Sequence, residues 1–158
     1  MFRKIRRKDR EISIDAAKQL LKNERRGVLA VNGDDGYPYA VPLNYYYDEQ
    51  RQKIYFHGSA EGHKADAIRA CDKVCFTVYG NINIKKEAWA PYVQSAVVFG
   101  RCRMLEYSAE SMSYLKMIAM KYYPDESLAD SGVASGGKNT QIYEIDIEHI
   151  SGKEIQEK

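Results

Sequence analysis

The feature that most constrains this fold is a series of β-type segments that follow one another through short turns. Residues 140–150, TQIYEIDIEHI, alternate apolar and polar side chains as a half-buried strand does. The sequence GDDG at residues 33–36 is a hairpin signal between two such segments. Strands that are joined by short turns pair antiparallel, and closing the sheet removes its exposed edges. The sequence therefore predicts a mainly β fold, a small six-stranded antiparallel β-barrel with flanking helices.

Six segments have the composition of strands, and three others have that of helices. The predicted strands are VLAVN (28–32), YPYAVPLNYYY (37–47), KIYFHGS (53–59), KVCFTVYG (73–80), QSAVVFGRCRMLEY (94–107) and residues 140–150. We expect one helix from the capping Ser13 to Gly27, a short one after Ser59, and one from Ser108 to Pro124. Residues 81–92, which include Trp89, and residues 130–139 are interpreted as loops.

Length, charge and cysteine content favour one class of protein over several others. The 158 residues suit a single domain, 1–158, with residues 1–12 as a basic arm. A net charge of +2 is too small to indicate a nucleic-acid-binding protein, and no apolar run is long enough to span a membrane. The three cysteines, Cys71, Cys75 and Cys102, form no CxxC pair, which favours a reducing compartment. We therefore expect a cytoplasmic protein with neither nucleic-acid nor membrane partners.

The sequence GSAEGHK at residues 58–64 is a candidate anion site. Ser59 can accept from backbone donors of the next turn, Gly62 allows a ligand close to the backbone, and His63 and Lys64 add positive charge. Cations in the first turn of a helix are disfavoured unless an anion offsets them. From residue chemistry alone, an ordinary helix start whose basic residues face water is the simpler interpretation.

His57 gains interest from its position in the sequence. It lies two residues before Ser59, so both side chains project from the same face of the predicted strand. A ligand that is anchored at Ser59 and Lys64 could reach back to His57, although an isolated strand histidine is usually structural. His57, His63 and His149 lack the spacing of metal ligands, so no metal site is predicted.

Several stretches, in order, resemble the FMN-binding split barrels related to pyridoxamine 5'-phosphate oxidase, especially the nitroimidazole-resistance proteins. These stretches are IRRKDREI, GYPYAVPLNYYYD, KIYFHGSAEGHKADAI, VQSAVVFGRCRMLE and YEIDIEHISGKE, and the likeness extends from Arg6 to Glu154. The resemblance implies a homodimer of six-stranded antiparallel split β-barrels, with one FMN at each end of the subunit interface.

The resemblance also implies roles for particular residues. His57 would be the catalytic residue beside the flavin ring, and Ser95 would reach the cofactor from the partner subunit. The full set of implied cofactor-binding residues is Val41, Pro42, Leu43, Asn44, Tyr45, His57, Gly58, Ser59, Gly62, His63, Lys64, Gln94 and Ser95. Trp89 could also lie near the cofactor.

Some positions depart from the oxidase pattern. His63 stands where the oxidase usually has an arginine, Asn44 replaces a lysine, and the substrate-recognition arginines have no counterpart in EIDIEHISGKE. The resemblance therefore implies an FMN-dependent oxidoreductase that reduces small flat electrophiles such as nitroaromatic compounds. The alternatives are a non-enzymatic flavin- or haem-binding module, a pyridoxamine phosphate oxidase-like enzyme, and a nucleic-acid binder that uses the basic arm.

Overall fold

The computed structural model describes residues 1–85 and 90–156, in which seven strands form one antiparallel sheet. The strands are β1 (Arg26–Asn32), β2 (Pro38–Asn44), β3 (Tyr46–Asp48), β4 (Lys53–Gly58), β5 (Lys73–Lys85), β6 (Ala90–Met104) and β7 (Gln141–Gln156). The helices are α1 (Ile14–Asn23), α2 (His63–Ala70), α3 (Ala109–Tyr122) and α4 (Glu126–Gly136).

The two edges of the sheet belong to one stretch of chain. The strand order is β2-β1-β5-β6-β7-β4-β3, so β2 and β3 lie at opposite edges although only Tyr45 separates them in sequence. The sheet must therefore curl until its edges approach, and β2 does contact β4. This confirms the predicted mainly β, antiparallel split-barrel fold.

The number of strands is seven, and the predicted six is wrong because residues 37–47 form two strands. Tyr45 interrupts them, since its N–H donates to the Tyr122 hydroxyl at 2.8 Å and not to a neighbouring strand. Its own hydroxyl donates to the carbonyl oxygen of Leu21 at 2.6 Å. Tyr45 is fully buried, so these bonds fix the corner of the chain inside the core.

The first helix is shorter than its sequence pattern indicates. Ser13 caps α1 as expected, because its side chain accepts from the N–H of Ala16, but the helix ends at Asn23. Gly27 is a buried residue of β1 and does not terminate the helix. A Cβ at Gly27 would lie 2.2 Å from the Phe76 ring, so this position needs glycine for close packing.

Two predicted loops contain regular structure. Residues 130–136 belong to α4, whose start is capped by the Asp125 side chain accepting from the N–H of Leu128 at 3.0 Å. Strand β5 continues to Lys85 and β6 begins at Ala90, with an irregularity between Gly80 and Asn83. Trp89 lies outside the described residues.

The apolar core has two parts, one on each face of the sheet near β4 and β7. Inside the curled sheet, Phe56 and Tyr143 stack at 4.8 Å beside aliphatic residues of β1, β5 and β6. On the other face, Tyr55 stacks on Tyr114 of α3 at 4.0 Å. Among the residues described, no helix is both long and apolar enough to cross a membrane.

Candidate functional site

The turn before α2 has an open helix N-terminus. Gly62 precedes the helix with φ of +103°, a conformation that favours glycine, and it provides no side chain to cap the helix. Ser59 accepts from the N–H of Glu61 at 3.1 Å, which confirms that its hydroxyl shapes the turn. The first N–H groups of a helix lack intrahelical acceptors and carry partial positive charge. The start of α2 can therefore accept an anion.

The ammonium group of Lys64 lies beside this helix start. In the described part of the chain, the ion pairs near the start of α2 involve His63 and Arg69, and no carboxylate pairs with Lys64. Its ammonium lies 5.3 Å from the centre of the Phe56 ring and 5.1 Å from that of Tyr143. A Cβ on Gly58 would lie 2.7 Å from Nζ, so the glycine provides the space for the ammonium. Burial lowers the pKa of Lys64.

His63 has different neighbours from Lys64. Its ring stacks on Tyr39 of β2 at 4.1 Å, and Nε2 lies 3.6 Å from a carboxylate oxygen of Asp34. The imidazole therefore ties the start of α2 to the turn between β1 and β2. The structure brings this histidine close to β2, but it also gives the imidazole an acidic neighbour that the sequence motif did not indicate.

His57 lies near the end of β4, opposite Ile142 of β7, and its side chain is exposed. Partial desolvation by the surrounding protein, followed in size by the positive charge of Lys64, lowers the pKa of His57. The imidazole is therefore largely neutral near neutral pH. Its hydrogen-bonding capacity is not used by any other described residue.

The residues predicted on β2 lie along an open edge. Only β1 pairs with β2 in the described sheet, so the other edge of the strand keeps its backbone groups available. Pro42 is exposed on this edge strand, as proline requires, while Val41 and Leu43 pack against the core. The Tyr45 side chain lies within the core.

Asn44 and His57 line the same cavity, of about 360 Å³. Its remaining walls come from α3 and α4, including Leu115, Ile118 and Ala119 on the first helix and Ala129, Gly132 and Val133 on the second. The sequence pattern does not indicate this wall, because the glycines and serines of residues 130–139 are typical of a loop. Helical spacing of Ala129 and Val133 behind a capping Asp125 was the available signal.

Gln94 and Ser95 lie at the other end of β6. They pair with Glu154 and Lys153 of β7, whereas Met104 at the end of β6 pairs with Tyr143, next to the helix start. Ten residues of strand separate Gln94 from Met104, or roughly 33 Å. A single chain therefore does not bring Gln94 and Ser95 to Lys64.

The fold and this arrangement define a split β-barrel with an open edge strand beside an uncapped, cationic helix start. A sequence model for the family described as pyridoxamine 5'-phosphate oxidase matches residues 13–154. The chain belongs to this family, which confirms the family assignment made from the sequence. Among curated protein sequences, none matches the chain significantly.

Solved structures give the same fold. A candidate 5-nitroimidazole antibiotic resistance protein from Bacteroides thetaiotaomicron superposes with a TM-score of 0.77 at 18% identity, covering 92% of this chain and 87% of that one. A FAD-binding protein from Mesorhizobium loti has a TM-score of 0.65 and 25% identity, over 92% and 97% of the two chains. A FAD- and haem-binding protein from Mycobacterium smegmatis has a TM-score of 0.69 and 18% identity, over 89% and 70%.

Proposed function

We propose that the protein binds FMN and is an oxidoreductase that reduces small flat electrophiles such as nitroaromatic compounds. The observation that carries this proposal is the half-buried, unneutralised Lys64 ammonium beside the uncapped start of α2. A phosphate is the ligand that satisfies both features, because it accepts from free amides and offsets the ammonium charge. Family membership and solved structures named for flavin binding support the same cofactor class.

The residues of the site fit such a cofactor from one end to the other. The first-turn N–H groups of α2, Ser59 and Lys64 would hold the phosphate, with Gly58 and Gly62 allowing close approach. His63 would hold the helix start against β2 through Tyr39. The open edge of β2 from Val41 to Asn44 would face the ring system. A flavin held there would supply electron transfer, and the residues of the chain would orient it and set the electrostatics around it.

His57 is the residue that we propose for proton handling beside the ring. Its imidazole is exposed, has a lowered pKa, and reaches the cavity from the strand that precedes Lys64. A neutral imidazole can donate through one nitrogen and accept through the other, so it can relay a proton to a reduced substrate. A protonated His57 would be a stronger donor, and acidification increases its population.

We also propose that the whole chain acts as one unit of a homodimer, with the flavin at the interface. The outer face of the sheet supports this arrangement because its centre is uncharged: Ala30, Cys75, Thr77 and Val97 lie on adjacent strands there. A sheet face that remains in water usually carries polar side chains. Ser95 lies on the same face, where it could reach the partner's cofactor.

The visible spectrum of the purified protein tests this function. We expect flavin absorbance in the protein as isolated or after addition of FMN. Bleaching by a reduced nicotinamide donor and reoxidation by a nitroaromatic compound would support the enzyme. A protein that never acquires flavin absorbance would overturn the proposal.

The same spectrum separates a second candidate, a non-enzymatic flavin- or haem-binding module. The observation in its favour is the fold shared with the FAD- and haem-binding protein from Mycobacterium smegmatis. A haem Soret band, or bound flavin that no electron donor and acceptor turn over, would favour that module over the oxidoreductase.

A further inference from the structure

The cavity between α3, α4 and the end of β4 differs in charge from other cavities of the described chain. None of its lining residues is a lysine, arginine, aspartate or glutamate. By contrast, the cavity beside α1 and β3 contains Lys22, Lys116 and Lys121, and another contains Arg103 and Glu144. In a chain with 29% charged residues, an uncharged lining of this extent selects against charged ligands.

The polar groups of the cavity lie at the end next to the proposed flavin site. Asn44 is the last residue of β2, and His57 projects from the face of β4 that carries α3, near enough to Lys64 for the ammonium charge to contribute to its lowered pKa. Neither side chain makes a hydrogen bond to another residue that the structure describes. Thr140, in contrast, already donates to the carbonyl oxygen of Gly136 at 2.9 Å. Asn44 and His57 are therefore available to a ligand.

We propose that this cavity is the substrate pocket and that it takes a neutral, apolar ring compound with a hydrogen-bond acceptor. The ring packs against Ile118, Ala119 and Ala129, and the acceptor faces Asn44 and His57. A volume of about 360 Å³ suits a small molecule. The proposal rests on the proposed function, because it places the substrate beside the flavin ring.

The same lining disfavours a phosphorylated substrate. A phosphate dianion in this cavity would lose its hydration without gaining a lysine or arginine partner among the lining residues. The uncharged lining therefore excludes pyridoxamine 5'-phosphate from the pocket, although the chain belongs to the family that is described as pyridoxamine 5'-phosphate oxidase.

Two probes of similar size test the chemical class of the ligand. Nitrobenzene is neutral, and 4-nitrobenzoate carries a carboxylate on the same ring. We expect equilibrium dialysis to show that nitrobenzene binds at least tenfold more tightly than 4-nitrobenzoate, to flavin-free and to FMN-loaded protein. Equal affinity of the two probes, or tighter binding of the anion, would overturn the proposal.

A blocking substitution tests the location of the pocket. Gly132 lines the cavity, and a Cβ at this position meets nothing within 4 Å, so Gly132→Leu adds a bulky side chain at the cavity wall, and leucine is the better helix former. We expect a loss of nitrobenzene affinity of at least tenfold. Ser131→Leu is the matched control, since Ser131 is exposed on the same helix and does not line the cavity.

The readouts separate this inference from the proposed function. If the protein binds nitrobenzene but no flavin, the substrate pocket is supported and the proposed flavoenzyme is overturned. If it binds flavin and Gly132→Leu leaves the nitrobenzene affinity unchanged, the proposed flavin binding is supported and the pocket is overturned. Circular dichroism and the thermal midpoint verify that the variant folds. If the cavity is instead covered by a second subunit, nitrobenzene will not bind and Gly132→Leu will weaken the dimer, and this result also overturns the proposal.

Discussion

Single residues determine how an anion would be held at the start of α2. Lys64 lies over two buried rings with space provided by Gly58, and its lowered pKa reflects the cost of a half-buried charge. A bound phosphate would offset that cost, because it supplies the negative charge that the described chain does not place there. The energetic contribution of Lys64 should therefore appear in cofactor affinity more than in folding stability.

Replacing Lys64 by alanine tests this assignment. Loss of one charge-assisted contact is worth about 1.5–3 kcal/mol, so we expect FMN affinity to fall roughly tenfold to a hundredfold. Fluorescence titration of FMN measures the change, with Lys73→Ala, an exposed lysine of β5, as the control. Equal affinities of the Lys64→Ala variant and the parent would contradict the phosphate assignment.

Lys121 makes stability depend on pH. Its ammonium donates to the carbonyl oxygen of Glu24 at 2.7 Å and lies 3.8 Å from the centre of the Tyr45 ring. Burial lowers its pKa to about 8, against an ordinary value of 10.5. Between these values the unfolded chain binds more protons than the folded one, so the contribution of Lys121 to stability rises with pH and its cost is complete below about 8.

Urea unfolding of the parent and of Lys121→Met measures this effect. The methionine keeps the bulk of the side chain and does not titrate. We expect the free energy of unfolding of the parent, relative to the variant, to increase from about pH 7 to about pH 9.5. A difference between the two proteins that is constant over this range would show that burial does not depress the pKa of Lys121.

The sequence indicates only part of the geometry around the start of α2. The turn conformation at Ser59 and Gly62 could be predicted because a turn before a helix is local. The partners of His63 could not, since Asp34 and Tyr39 come from a turn and strand more than twenty residues earlier. The position of Lys64 likewise depends on Tyr143, which β7 brings beside β4.

Among the secondary-structure elements, α4 is the one whose structure differs most from the prediction made from its sequence. Its glycines and serines are typical of loops, yet Asp125 caps it and Ala129 is buried. The division between β2 and β3 also could not be predicted from the sequence. The Tyr45 N–H donates to the Tyr122 hydroxyl and not to a neighbouring strand, and Tyr122 lies in a helix 77 residues away. Tertiary contacts thus decide the division between β2 and β3, whereas in α4 a local cap outweighs a loop-like composition.

The cap on α4 gives a prediction at this scale. Asp125→Ala removes the acceptor of the Leu128 N–H, a change worth about 1 kcal/mol to a helix. We expect faster hydrogen exchange of α4 amides, weaker nitrobenzene binding, and little change in FMN affinity. Asp125→Asn, which can still cap, is the control. Unaltered exchange in α4 would mean that its packing on α3 suffices without the cap.

For the whole molecule, the antiparallel pairing and the curled sheet followed from short turns and alternating segments. The register did not, because bulges such as that between Phe99 and Gly100 depend on pairing with β7. The outer face could not be recognised from the sequence, because Thr77 and Val97 belong to two strands that pair only in the sheet. The uncharged centre of this face is the structural basis for the proposed homodimer.

A charge on that face tests the assembly. Val97→Lys would place an ammonium at the centre of the proposed interface, and burying an unpaired charge costs several kcal/mol. We expect a monomer by analytical ultracentrifugation, with weakened FMN binding because Ser95 of the second chain is lost. Tyr107→Lys, at an exposed aromatic outside the sheet, is the control. If the Val97→Lys variant is still a dimer, the interface does not lie on this face of the sheet.

We propose that the start of α2 holds the phosphate of a flavin nucleotide. Parallel fluorescence titrations of the flavin-free protein with FMN and with riboflavin isolate the contribution of this phosphate, because the two molecules share one ring system and differ by the phosphate. We predict that FMN binds at least tenfold more tightly than riboflavin, and that Lys64→Ala removes most of this preference. Equal affinities for FMN and riboflavin, or no binding of either, would show that the start of α2 is not a flavin phosphate site.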